Sequence, residues 1–240
     1  MNSIIRRIQM TDGSEIYFEK RGQGFPLFLL HGNGGNGRFF SKQIATFEKY
    51  YTVYIVDSRG HGYSTNHSPE LSFRLLAEDL QTIMEVESIN KANLLGFSDG
   101  ANLAMTFAVL YPEKVNRLIL NSGNLFFKGV RLLGRLESKI EYFLVFLGCF
   151  FSKKCSRFLP IVDLLLHDIG ITEQDLATLT CPTLILVGRC DVIKLSHSLF
   201  LARTIQKSSF ILINGQGHQF ARKNPERFNQ EVLNFLNEVY

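Results

Sequence analysis

The feature that most constrains the fold is Gly96-Phe97-Ser98-Asp99-Gly100, set between the apolar run Asn93-Leu94-Leu95 and a helical stretch over residues 101–110 that Pro112 stops. A chain that turns this sharply from strand to helix holds the serine in a strained conformation. Only glycine fits on either side without its Cβ striking the adjoining strand or helix. The strain lifts the hydroxyl into the open, at a helix N-terminus whose dipole favours developing negative charge.

The rest of the chain repeats the same rhythm. Residues 4–10 and 15–19 read as strands around the turn Asp12-Gly13. Short apolar or β-branched runs follow at 27–30, 52–56, 93–97, 117–120, 183–187 and 209–213. Between them, residues 38–50, 72–86 and 101–110 have helical spacing, and a last amphipathic helix spans 225–239. Strands alternating with helices predict an α/β fold with a mostly parallel central sheet flanked by helices. The rhythm breaks between 125 and 175, where helical patches carry no strand-and-turn pattern. The expected organisation is a core of residues 1–124 and 176–240 with a helical cap, 125–175, inserted in it. At 240 residues, 45% of them apolar and 20% charged, the chain can bury one large core and does not read as disordered.

A formal net charge of +4 does not point to nucleic acid. One series does concentrate charge: Lys128, Arg131, Arg135 and Lys139 fall at three- and four-residue steps, hence on one helix face. Either solvent or an anionic partner suits such a face. The start, Met1 to Arg7, has no apolar core of a secretory signal, and the longest apolar run, residues 142–151, is too short to span a bilayer. A cytoplasmic protein without a transmembrane segment is expected. Cys149, Cys155, Cys181 and Cys190 form no CxxC pair and no zinc spacing, so reduced thiols are expected and no metal site.

Other candidate residues sit after other strands. His31-Gly32-Asn33-Gly34-Gly35 can point backbone N–H groups at an oxyanion, and the backbone N–H groups of Asn33 and Asp99 would form the pair. Asp191 follows the strand at 183–187, and His218 follows the last strand. Open α/β sheets place their sites at the carboxyl ends of strands. The strand after the serine helix ends in Asn121-Ser122-Gly123-Asn124, without an acid, so Asp191 is the best-placed carboxylate. Asp57, in Asp57-Ser58-Arg59-Gly60-His61-Gly62, is read as fixing the floor of the site. His61 is read as a turn or rim residue and the pair His167-Asp168 as solvated or packing, while His67 and His197 carry no partner signal.

With these five pieces in this order, the chain resembles the α/β-hydrolase superfamily of capped serine hydrolases. The resemblance implies Ser98 as nucleophile, His218 as general base and Asp191 orienting it, with no cofactor. The expected reaction is cleavage of a small or medium carboxylic ester through an acyl-enzyme. Alternatives with the same triad are a carbon–carbon bond hydrolase or a lactonase, and a low-turnover ligand-binding sensor keeps the same fold. Phe126, Phe127, Phe143 and Phe146, with Phe150 and Phe151, suggest an apolar roof over Ser98. Asp99 reads as a helix-start acid, or as a partner for a substrate amino group.

Overall fold

The computed structural model describes residues 3–238. Eight strands form one sheet: β1 (Ile4–Gln9), β2 (Glu15–Arg21), β3 (Phe25–Leu30), β4 (Tyr51–Val56), β5 (Ala92–Phe97), β6 (Val115–Asn121), β7 (Thr183–Cys190) and β8 (Ser208–Gly217). Their order is β1-β2-β4-β3-β5-β6-β7-β8. The hairpin β1–β2 adds antiparallel to β4, and all pairings from β4 to β8 are parallel.

Each central strand buries both faces, as a parallel sheet covered by helices must. Along β3, Leu27 and Leu29 pack to one side while Phe28 and Leu30 pack to the other. One layer places α2 (Phe73–Val86) and α3 (Asp99–Leu110) on the sheet through Leu76, Leu80, Leu103 and Phe107. The opposite layer, α1 (Ser41–Phe47) and α9 (Pro225–Asn237), contributes Phe47, Phe228, Val232 and Phe235. Ser72 caps α2 by accepting from the Leu75 N–H. The sequence pattern carries α9 to residue 239, which lies outside the described residues.

Between β6 and β7 the chain makes a helical excursion: α4 (Leu132–Cys149), α5 (Lys153–Asp163) and α6 (Glu173–Ala177). The end of this excursion is tied to the core, since Ile169, Ile171 and Leu176 pack in the same cluster as β6 and α3. Two further helices, α7 (Leu195–Thr204) and α8 (Phe220–Lys223), flank β8. No helix among the described residues is long and apolar enough to cross a membrane.

Parallel strands bring their carboxyl ends to one edge. The residues after β3, β4, β5, β6, β7 and β8 (His31, Asp57, Ser98, Ser122, Asp191 and His218) therefore gather along it.

Candidate active site

Ser98 links β5 to α3 with φ 53° and ψ −121°, a region that side chains other than glycine avoid. A Cβ on Gly96 would run into the Gly100 carbonyl, and one on Gly100 into the Leu30 carbonyl. Both glycines are thus required by the closeness of β3, β5 and α3. Phe97 stacks on Phe39, with ring centres 4.1 Å apart, and lies 4.8 Å from the His218 ring. The residue before the serine therefore supports the imidazole.

His218 Nδ1 lies 2.8 Å from Asp191 Oδ1, and its Nε2 lies 3.1 Å from Ser98 Oγ. An ionised carboxylate only accepts, so the proton sits on Nδ1 and the Nε2 lone pair faces the serine hydroxyl. Asp191 is 2% exposed. Burial alone would raise its carboxyl, but the His218 contact, the Ile193 N–H at 3.0 Å and the Ser122 hydroxyl at 2.7 Å outweigh burial and hold it below the usual carboxylate range. β7 and β8 continue until Cys190 pairs with Gly217, so the next residue on each strand, Asp191 and His218, is delivered beside the other.

Sequence reasoning passes over Ser122. It stands at the end of β6, with φ +61°, where the sequence offers no acid. There its hydroxyl holds the second oxygen of Asp191. Asp57 is placed differently: its carboxylate takes the N–H groups of Gly37 (2.7 Å) and Tyr63 (2.8 Å), within its own corner of the molecule.

The glycine-rich loop after β3 rests on His31. That ring is buried, and burial, reinforced by the neighbouring His61, lowers its pKa to about 3. It is therefore neutral. Nε2 accepts from the Ser58 N–H at 3.0 Å, which places the ring proton on Nδ1, donating to the Gly32 carbonyl at 2.8 Å. Gly32 in turn sits so close to the elbow that a Cβ there would meet Ser98 Cβ at 3.0 Å. Among the described residues, neither the Asn33 nor the Asp99 backbone N–H is taken by a protein acceptor. The Asn33 side chain ties the loop to the elbow and to α5, because its Nδ2 donates to Asp99 Oδ2 at 2.8 Å and to the Ile161 carbonyl at 2.7 Å.

A cleft of about 230 Å³ opens over Ser98, Asp99 and His218. Its walls mix Leu164, Val192 and Ile193 with Asn102, Asn124, Glu137, Ser138 and Glu141. Desolvation raises the Asp99 carboxyl to about 6, against the hydrogen bonds it accepts from Asn33 and, at 3.2 Å, Asn102. A larger concavity of about 560 Å³ lies between β2 and α1 and includes none of Ser98, Asp191 and His218. Ser98 and His218 both line the smaller cleft.

A sequence model described as alpha/beta hydrolase fold matches residues 26–147, half of the chain. The chain belongs to the α/β-hydrolase fold family. This hydrolase is 25% identical to serine hydrolase BPHL of Homo sapiens, over 94% of its own length and 84% of the relative's. It is 26% identical to 2-hydroxymuconate semialdehyde hydrolase of Pseudomonas putida, over 98% and 95%. Its fold superposes on that of an esterase from Exiguobacterium antarcticum with a TM-score of 0.85 at 21% identity, covering 98% and 100% of the two chains.

The phenylalanines expected as a roof do not line the cleft of this hydrolase. Phe143 and Phe146 are 57% and 41% exposed on α4, and Phe150 and Phe151 are more so. Phe126 packs against His197 and Phe200, and Phe127 begins a single 3-10 turn. Helix α4 turns Glu137, Ser138 and Glu141 towards the cleft instead, one edge away from its phenylalanines. Helical phase decides this, and aromatic composition alone does not reveal it.

Proposed function

We propose that the chain is a serine hydrolase that cleaves a small or medium carboxylic ester. The observation that carries this reading is the unbroken relay Ser98–His218–Asp191, at 3.1 and 2.8 Å, built on a strained elbow. His218 takes the proton of Ser98 as its oxygen attacks the ester carbonyl. Asp191 keeps the imidazole in the required tautomer and stabilises its cationic form. The backbone N–H groups of Asn33 and Asp99 receive the negative charge of the tetrahedral intermediate. His218 then protonates the departing alcohol, and the same groups activate water to release the acid. Residues 125–175 act as a cap that walls the cleft, over a core of 1–124 and 176–240, in a cytoplasmic protein. A polar cleft suits a substrate carrying hydrogen-bonding groups, and the acids Asp99, Glu137 and Glu141 suit one with an amino group.

A second reading rests on the likeness to the semialdehyde hydrolase: the same relay would serve a carbon–carbon bond hydrolase, or a lactonase. The test is a turnover screen of purified protein on acetyl to hexanoyl esters, lactones, a vinylogous diketone and matched α-amino esters with free and acetylated nitrogen. Ester turnover above the others, with the free amine favoured about 10-fold or more, is expected. Faster diketone cleavage would move the reading to carbon–carbon bonds. No turnover of any class would leave a binding protein.

A further inference from the structure

Helix α4 and the turn after it carry a solvent-facing apolar stripe from end to end. Leu133, Leu136, Ile140, Leu144, Leu147 and Phe151 recur at three- and four-residue steps and are all exposed, Leu133 by 74% and Phe151 by 90%. The helix's less exposed residues, such as Ser138, Tyr142 and Val145, fall on its opposite side. Phe143 and Phe150 widen the stripe on one flank. A continuous apolar patch of this size is not left to water in a monomeric protein without purpose.

The charge around it identifies the occupant. Residues 128–157 hold seven of the chain's 26 basic residues and two of its 22 acidic ones, so this segment is formally +5 and the remainder −1. Lys139 lies one turn before Phe143 on the same flank, whereas Arg135 falls towards the helix's less exposed side and Arg131 precedes the helix. Among the described residues, Lys128, Arg131, Lys139, Lys153 and Arg157 are exposed and none is in an ion pair. Leucines and phenylalanines on one face with unpaired cations beside them are the signature of a helix lying in a bilayer interface. The apolar face enters the acyl boundary while the cations meet anionic headgroups. A second copy of this chain would bring the same positive segment against itself.

We propose that α4 docks this protein onto the surface of an anionic lipid membrane. The opposite flank of the same helix, through Glu137 and Glu141, walls the cleft over Ser98, so docking sets the cleft mouth beside the lipid.

Sedimentation of the full chain with vesicles tests this, using phosphatidylcholine alone and phosphatidylcholine mixed with phosphatidylglycerol. Binding to the mixed vesicles is expected, with little to the neutral ones and release at high salt. That comparison needs no variant. Lys139→Ala should weaken binding about 5-fold. Ile140→Ser with Leu144→Ser should weaken it about 10-fold or more, while ester turnover in vesicle-free buffer stays unchanged. Absence of sedimentation with either vesicle overturns the proposal, as does binding indifferent to phosphatidylglycerol and salt. So does a wild-type dimer in size-exclusion chromatography that the double substitution converts to monomer without any vesicle binding; the stripe would then be covered by a second copy.

Discussion

At the scale of single residues, the site is built by setting each ionisable group's surroundings. Asp99 shows the cost. Its carboxyl is held near 6 instead of the usual 3.8, so the folded state loses stability as pH rises from about 4 through about 6 and the group is forced to ionise. At neutral pH that ionisation costs about 3 kcal/mol. Asp99→Asn removes the charge and, like the protonated carboxyl, offers one carbonyl acceptor to the donors Asn33 and Asn102. The variant should thus be more stable than wild type at pH 7.5, by up to about 3 kcal/mol, and about as stable below pH 4, measured by urea unfolding at each pH. A constant difference across that range would contradict the assignment. The two candidate acids separate in the same way. Asp191→Asn keeps the shape but disturbs the histidine tautomer, and should lower kcat by about 10⁴, far more than its loss of stability, about 1–2 kcal/mol from a donor left poorly paired, can account for. Asp57→Asn leaves the Gly37 or Tyr63 N–H poorly paired, and should act mainly through a lowered unfolding midpoint. Inactive but fully stable Asp57→Asn beside active Asp191→Asn would exchange their roles.

Among the elements, the elbow and the two last strands position Ser98, Asp191 and His218, and they are unequally legible in the sequence. The elbow can be read because its requirement is steric and local: glycine at 96 and 100, an apolar strand before, a helix after. Gly100→Ala should therefore cost about 3 kcal/mol or more, since its Cβ meets the Leu30 backbone, which cannot yield. Gly34→Ala is the control. Gly34 has positive φ, +64°, which Gly100 does not, but nothing lies within 4 Å of the added Cβ, so about 1 kcal/mol is expected. Equal losses in thermal melts would refute this reading of the elbow. β7 and β8 run on to Cys190 and Gly217, past the ends that the apolar runs suggest, because Arg189, Asn214 and Gln216 hide the strand behind polar side chains. The pairing that sets Asp191 against His218 lies in those hidden residues. Helix α7 leaves little trace in the pattern either, as its buried contacts come from few positions: His197, Ser198 and Leu201. Composition alone assigns the α4 phenylalanines to the cleft, whereas their helical phase points them to solvent.

For the molecule as a whole, the carboxyl edge of the sheet is held together by a buried charge network. Arg59 reaches Asp79 on α2 with two nitrogens, at 2.8 and 2.6 Å, and also contacts Asp12 and Ser14 in the β1–β2 turn. Arg59→Leu leaves the Asp79 carboxylate buried without its cation, so about 3 kcal/mol or more of stability should be lost. The double change with Asp79→Leu should recover much of it. If the double variant is worse than the single one, packing and not charge governs this corner. These supports all serve a single hydroxyl among the many serines of the chain, and its activation is the central claim. A fluorophosphonate reacts only with an activated serine beside an oxyanion hole. Incubated with the intact protein and mapped by peptide mass spectrometry, it should label Ser98 alone. Labelling should vanish in Ser98→Ala and slow by at least about 10³ in His218→Ala, both variants remaining folded. Labelling of a different serine, or undiminished labelling of Ser98 without His218, would contradict the account.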